Sequence, residues 1–331
     1  MIQLFKSNNP ITIFFVLAVA VLLRLPYFMH PAVHPFIPTD MVGNFVFVKL
    51  IGLIANNALL YNIIALVLVI AQALLWNGML NNLRFLPSQN FLPSLVYVTF
   101  TAALPDFIGI SQSMLVAFAI LWVLNKVVNI YKKEKQTTST FDLGFTVGIC
   151  GLLGSHFICI GLFLILALLI LRPMQVSEWF NFLTGIFIPF FLIGTWSFYN
   201  GFYLSFQHSF FHNLLFSFHH STSYNAAFLV VSGITILMIG LNYFLLNSRQ
   251  LSRLVLIRKF FNVLFHLSWV MAASWFISGD RSFAQFYILA IPMSFYFAYY
   301  LCIEKKNWKA DLFYLFWVSA ILGSQYFLKF S

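Results

Sequence analysis

The chain has 331 residues, of which 61% are hydrophobic and 8% charged, and its formal net charge is +10. An ordinary soluble domain is roughly a quarter charged, so a mean hydropathy of +0.91 and 42 phenylalanines leave too few polar side chains to cover a globule in water. That composition excludes a soluble enzyme or binding domain, and a basic excess concentrated beside apolar runs argues against nucleic acid as a partner.

Apolar runs of about 20 residues recur along the chain, each long enough to cross a hydrocarbon core of about 30 Å. Continuous runs, rather than short alternating ones, predict helices. In chain order we read eleven spans, at about 10–29, 57–80, 91–108, 109–130, 142–156, 157–172, 180–203, 225–246, 260–278, 284–303 and 310–328. The expected fold is an all-α polytopic transmembrane bundle forming a single integral membrane domain over 1–331. Spans 1–4 occupy 1–130 with an outer loop at 26–57, and the remaining spans occupy 142–331 with an outer loop at 204–224. With no small-residue cleavage site before it, the first span is expected to be a retained helix.

A cytoplasmic N-terminus puts Lys6, Arg84, Lys126, Lys132, Lys133, Lys135, Arg172, Arg249, Arg253, Arg258, Lys259, Lys305, Lys306 and Lys309 inside. It leaves Arg24, Lys49, Arg281 and Lys329 outside. This positive-inside bias orients the chain and makes membrane lipids, not nucleic acid, the partners of its basic residues. The three cysteines, Cys150, Cys159 and Cys302, lie in or beside apolar spans and suggest inert buried thiols, with no disulfide framework.

The chemistry-bearing residues gather at the outward ends. Asp40, Asp106 and Asp280 fall there with His30, His34, His156, His208, His212, His219 and His220, and Arg24 lies near the outer end of the first span. A charge so placed is costly unless it reaches the interface or serves a function. The segment QHSFFHNLLFSFHHS sets His208 and His212 one helical turn apart. An aromatic interfacial helix explains that segment without a metal, and substrate contact is its better functional reading.

Three segments in order resemble the type-C (GT-C) glycosyltransferase superfamily, membrane enzymes that take sugars from polyprenyl-phosphate carriers. LRLPYFMHPAVHPFIPTD (23–40) is similar to the outer loop that bears the family's essential acidic residue. LVYVTFTAALPDFIGISQSMLVAFAILWVLNKVVNIYKKEK (95–135) is similar to its span, polar turn, span and basic stretch, with Pro105, Asp106 and Ser111 at the turn. LGFTVGICGLLGSHFICIGLFLILALLIL (143–171) resembles its glycine-bearing pair of short spans. The likeness covers roughly residues 10 to 172.

The resemblance implies transfer of a sugar from a polyprenyl-phosphate donor to an acceptor protein or glycan at the periplasmic face of a bacterial-type inner membrane. A mannosyl donor is the commonest family case. Asp40 takes the acidic position and, as a carboxylate near the membrane surface, suits a base for the acceptor hydroxyl. Arg24, with His156 or Lys49 as alternatives, suits the phosphate leaving group. Asp106, His30, His34, His208 and His212 are candidate substrate contacts. Many family members carry a second acidic residue beside the first, but here Asp40 is followed by Met41 and there is no DxD pair, so neither a metal nor another cofactor is expected.

Each residue also has a plain structural role open to it. Asp40 and Asp106 suit helix starts, and Arg24 suits anchoring to headgroups. Two other functions remain open: a non-catalytic subunit of an envelope or secretion complex, and a transporter or flippase for a lipid-linked substrate.

Overall fold

The computed structural model describes residues 2–6, 9–29, 57–131, 137–171, 175–201, 203–204, 207, 240, 255–277, 283–304 and 307–330. Among these the secondary structure is helical, with no strand. We number the helices α1 (Ile2–Phe5), α2 (Ile11–Met29), α3 (Ala58–Asn82), α4 (Leu92–Phe100), α5 (Gln112–Ile130), α6 (Thr137–Leu153), α7 (Cys159–Leu171), α8 (Val176–Tyr199), α9 (Val255–Ile277), α10 (Ala290–Ile303) and α11 (Asn307–Phe330). Short 3₁₀ turns stand at Pro105–Phe107, Ser155–Ile158 and Phe283–Leu289. The expected span 225–246 and most of the two outer loops fall outside the described residues.

Among the described residues, six segments are long and apolar enough to cross a membrane: Ile11–Met29, Ala58–Asn82, Gln112–Ile130, Val176–Tyr199, Val255–Ser274 and Ala284–Ile303. Their outward faces carry large apolar side chains such as Phe14, Val67, Phe187 and Trp269, all exposed. A water-soluble bundle does not display large apolar side chains across several helix faces, and the chain is an integral membrane protein. Thr138–Leu153 and Ser155–Leu171 form shorter apolar helices.

Local signals set the boundaries. Asn57 and Ser111 cap α3 and α5, their side-chain oxygens accepting from the backbone N–H groups of Leu60 (3.3 Å) and Met114 (3.2 Å). Gln175 and Glu178 close a reciprocal capping box at the start of α8. The helix α3 ends in a turn whose left-handed residue is Arg84, at φ 55°.

The centre of the bundle is α4 packed on α10, with every residue of α4 buried. Around this pair lie α2, α3, α9 and the Phe283–Leu289 turn. Trp76 donates to Ser294 Oγ at 2.9 Å and Tyr296 donates to the Phe261 carbonyl at 3.0 Å, pinning α3 and α9 to α10. Phe260, Phe261 and Phe295 interlock edge to face at 4.8–5.4 Å.

Two expected spans are interrupted. The run 91–108 is helical only over Leu92–Phe100, about 14 Å at 1.5 Å per residue. Pro105, which lacks an N–H and disfavours helix at the residue before it, explains why that helix does not continue. In 284–303 the first turns are 3₁₀, and the α-helix begins two residues before Pro292. Proline is accepted in a first helical turn but not deeper, so Pro292 fixes where α10 can start.

A separate layer is built from α6, α7 and α8. Here α8 lies against α6 and α7 lies against α9. The seam between α6 and α8 is backbone on backbone: a Cβ at Gly144 would overlap the Phe182 carbonyl, and one at Gly185 would overlap the Phe141 carbonyl. At Gly148 the Ile186 carbonyl stands 2.7 Å from where a Cβ would be. Small residues at such crossings let helices associate in lipid, where the hydrophobic drive between them is absent. Lys126 of α5 pairs with Asp142 of α6 and ties the layer to the core.

Substituting Gly144→Val or Gly185→Val should force α6 and α8 apart and lower stability by about 1–3 kcal/mol or more. Gly194, on the same helix as Gly185, has open space around it. Gly194→Ala should be neutral or stabilising by about 0.4–1 kcal/mol. Thermal unfolding of the purified variants in one detergent checks the contrast.

Candidate functional site

The residues expected to carry chemistry divide three ways. Asp40, Lys49, His30, His34, His208 and His212 lie outside the described residues. Arg24 and Asp106 are brought to one place, the interruption after α4. His156 stands elsewhere.

Arg24 is the key to that interruption. It is 1% exposed and projects from α2 against α4 and the turn that follows. Its Nη1 donates to the Ile108 carbonyl at 3.3 Å and its Nη2 to the Thr101 carbonyl at 3.4 Å. Thr101 is the C-cap residue of α4, where the last carbonyls have no intrahelical donors. A cation at a helix C-terminus also meets the negative end of the helix dipole. Among the described residues the buried Arg24 Nε has no hydrogen-bond partner.

Other side chains complete the brace. Tyr61 donates to the Ile110 carbonyl at 3.0 Å, and Asn62 donates to the Tyr27 carbonyl at 3.2 Å. Beneath them Gln72 of α3 forms a buried knot. Its Oε1 accepts from Tyr97 at 3.0 Å and from Tyr287 at 2.5 Å, while its Nε2 donates to the Met114 carbonyl at 2.6 Å. Tyr97, Tyr287 and Tyr27 all lie within electrostatic reach of the guanidinium. Gly109 fits under Tyr61, whose hydroxyl is 3.0 Å from where a Cβ would sit.

Asp106 is exposed on the 3₁₀ turn Pro105–Phe107, two residues before the carbonyl that Arg24 holds. The arrangement is thus a buried cation beneath a turn that presents a carboxylate. The guanidinium of Arg24 spends two donors on backbone carbonyls, which gives it a bracing role the sequence alone did not suggest.

His156 is buried in the turn Ser155–Ile158, its ring 3.9 Å from that of Phe157, and among the described residues its Nε2 has no partner. That turn packs against α6, α7 and α9, whereas Arg24 packs on α4 and its following turn. Among the described residues, no group of three or more His, Cys, Asp or Glu is placed to hold a metal ion.

Sequence reasoning passed over Gln72, Tyr97 and Tyr287. Gln72 was detectable as a full amide in the middle of an apolar run, a placement that demands partners. The tyrosines carried no such signal, since interfacial tyrosines are common in membrane proteins.

No family model matches the chain, and neither the curated proteins nor the solved structures provide a match.

Arg24→Ala should leave the Thr101 and Ile108 carbonyls without donors in a dry site, costing about 2–5 kcal/mol. Arg24→Lys, with one compact charge in place of a fork, should recover only part of this. Chemical or thermal unfolding in detergent, comparing the two variants with wild type, reads the difference.

Proposed function

We propose that this chain is a membrane glycosyltransferase that moves a sugar from a polyprenyl-phosphate donor to an acceptor at the outer face of a bacterial-type inner membrane. In this reading it is a divergent type-C relative with eleven spans, a cytoplasmic N-terminus and a periplasmic active face. The observation that supports it best is the buried Arg24 beneath the turn that exposes Asp106. A sugar–phosphate donor needs positive potential near its leaving group and acceptors for its hydroxyls, and this pairing supplies both types of group.

Asp40 acts as the base toward the acceptor hydroxyl. Asp106 accepts from sugar hydroxyls. The charge of Arg24, fixed by two carbonyls, lowers the energy of phosphate bound above it, with Lys49 supplying direct donors. His30, His34, His208 and His212 act as substrate contacts.

A second reading, a transporter for a lipid-linked anion, is favoured by the interruptions after α4 and before α10, because discontinuous helices commonly form transporter sites.

The deciding assay follows radiolabelled sugar from polyprenyl-phosphate donors to envelope acceptors with purified protein, for wild type, Asp40→Asn and Asp106→Asn. Loss of transfer by about a hundredfold or more in Asp40→Asn, with unchanged unfolding temperature, is the expected result. Transfer retained in Asp40→Asn removes the base. No transfer with any donor, together with protein-dependent movement of the labelled lipid across vesicles, selects the transporter. Absence of both activities favours a non-catalytic subunit.

The orientation has its own test. With the native cysteines replaced, a cysteine at Ser88 should resist an impermeant thiol reagent added to intact cells, and one at Ser331 should react.

A further inference from the structure

The end of α3 opens into a crevice of about 130 Å³ lined by Arg84, Asn81, Ser88 and Gln89, with Leu80 and Leu86 as its apolar walls. Its geometry starts from an unusual residue. The chain leaves α3 through a left-handed turn in which Phe85 N donates to the Leu80 carbonyl at 3.1 Å and Arg84 N to the Asn81 carbonyl at 3.2 Å. Arg84 occupies the left-handed position at φ 55°, the only non-glycine with positive φ among the described residues. Glycine fits that position without strain, and an arginine there is held at a conformational cost. A non-glycine held in a left-handed backbone position beside a crevice is a reason to look for a ligand.

The surroundings fix the crevice independently of any ligand. Phe85 is fully buried and stacks on Phe260 at 4.2 Å, so the residue before it is turned outward. Asn81 and Asn90 bond each other's groups across the loop, at 3.0 and 3.3 Å, and Asn90 donates to Ser88 O at 2.7 Å and to Cys302 Sγ at 3.1 Å. Among the described residues Arg84 forms no ion pair. The crevice therefore offers the Arg84 guanidinium together with the Ser88 hydroxyl, on a loop held by the Asn81 and Asn90 bonds. This donor set matches a phosphate.

Its level in the membrane says where that phosphate comes from. The crevice begins at the last turn of a 25-residue apolar helix, where a span leaves the hydrocarbon and meets headgroups. We infer that it binds the phosphate of an anionic phospholipid. The same phosphate chemistry exists in free inorganic phosphate, and the experiment separates the two.

The full-length protein is reconstituted in phosphatidylcholine nanodiscs, and thermal unfolding is measured alone, with phosphatidylglycerol added, and with inorganic phosphate added. Wild type should gain a few degrees with phosphatidylglycerol and nothing measurable with inorganic phosphate. Arg84→Gly relieves the strained backbone, so it should fold and be at least as stable as wild type in phosphatidylcholine, yet lose the phosphatidylglycerol gain. Native mass spectrometry should show about tenfold weaker retention of one phosphatidylglycerol in Arg84→Gly, with Arg84→Lys between the two. An equal gain in wild type and Arg84→Gly, or no gain in wild type, overturns the inference. A gain with inorganic phosphate as large as that with phosphatidylglycerol overturns the lipid assignment.

Discussion

A helix that stops in a buried core leaves carbonyls with neither water nor a next turn to satisfy them, and the structure around α4 is organised by that constraint. Arg24 answers it by reaching from α2 to the carbonyls of Thr101 and Ile108. Tyr61, Asn62 and Gln72 continue the work along Ile110, Tyr27 and Met114. The charge is expensive to bury, but removing it would leave the carbonyls unpaired at comparable cost. A position that looks anomalous in the sequence is therefore a structural necessity once the α4 interruption exists.

The same brace shapes the candidate site. It gives the connection from Thr101 to Ser111 a fixed shape, and that connection carries Asp106 outward while Phe107 and Ile110 stay buried. Rigidity of this kind suits a site that must hold a reacting group in one geometry. The aromatic packing of Phe100, Phe107 and Tyr287, with ring centres 5.8–6.2 Å apart, stiffens the connection from the core side.

Much of the architecture could be read from hydropathy. The starts of α2, α3 and α5 fall within a few residues of the expected boundaries, because long apolar runs and good capping residues coincide there. The interruptions were harder to see. Pro105 and Pro292 each sit in an apolar run, and hydropathy averages over them, although the backbone cannot. In the site, Arg24 and Asp106 were legible as charges near an outward end. The partners of Arg24 were not, because they are backbone carbonyls and carry no side-chain signature. Gln72, Tyr97 and Tyr287 come from segments as far apart as 215 residues, a proximity that only packing creates.

The seam between α6 and α8 has a further consequence. Its contacts are steps of bare backbone at Gly144, Gly148 and Gly185, so no rotamer change can absorb a shift of one helix along the other. Sliding by a residue would bring a side chain onto a carbonyl. The seam thus works as a vernier. It holds α8 to a single register against α6, so in a membrane of different thickness the two helices have to tilt or shift together.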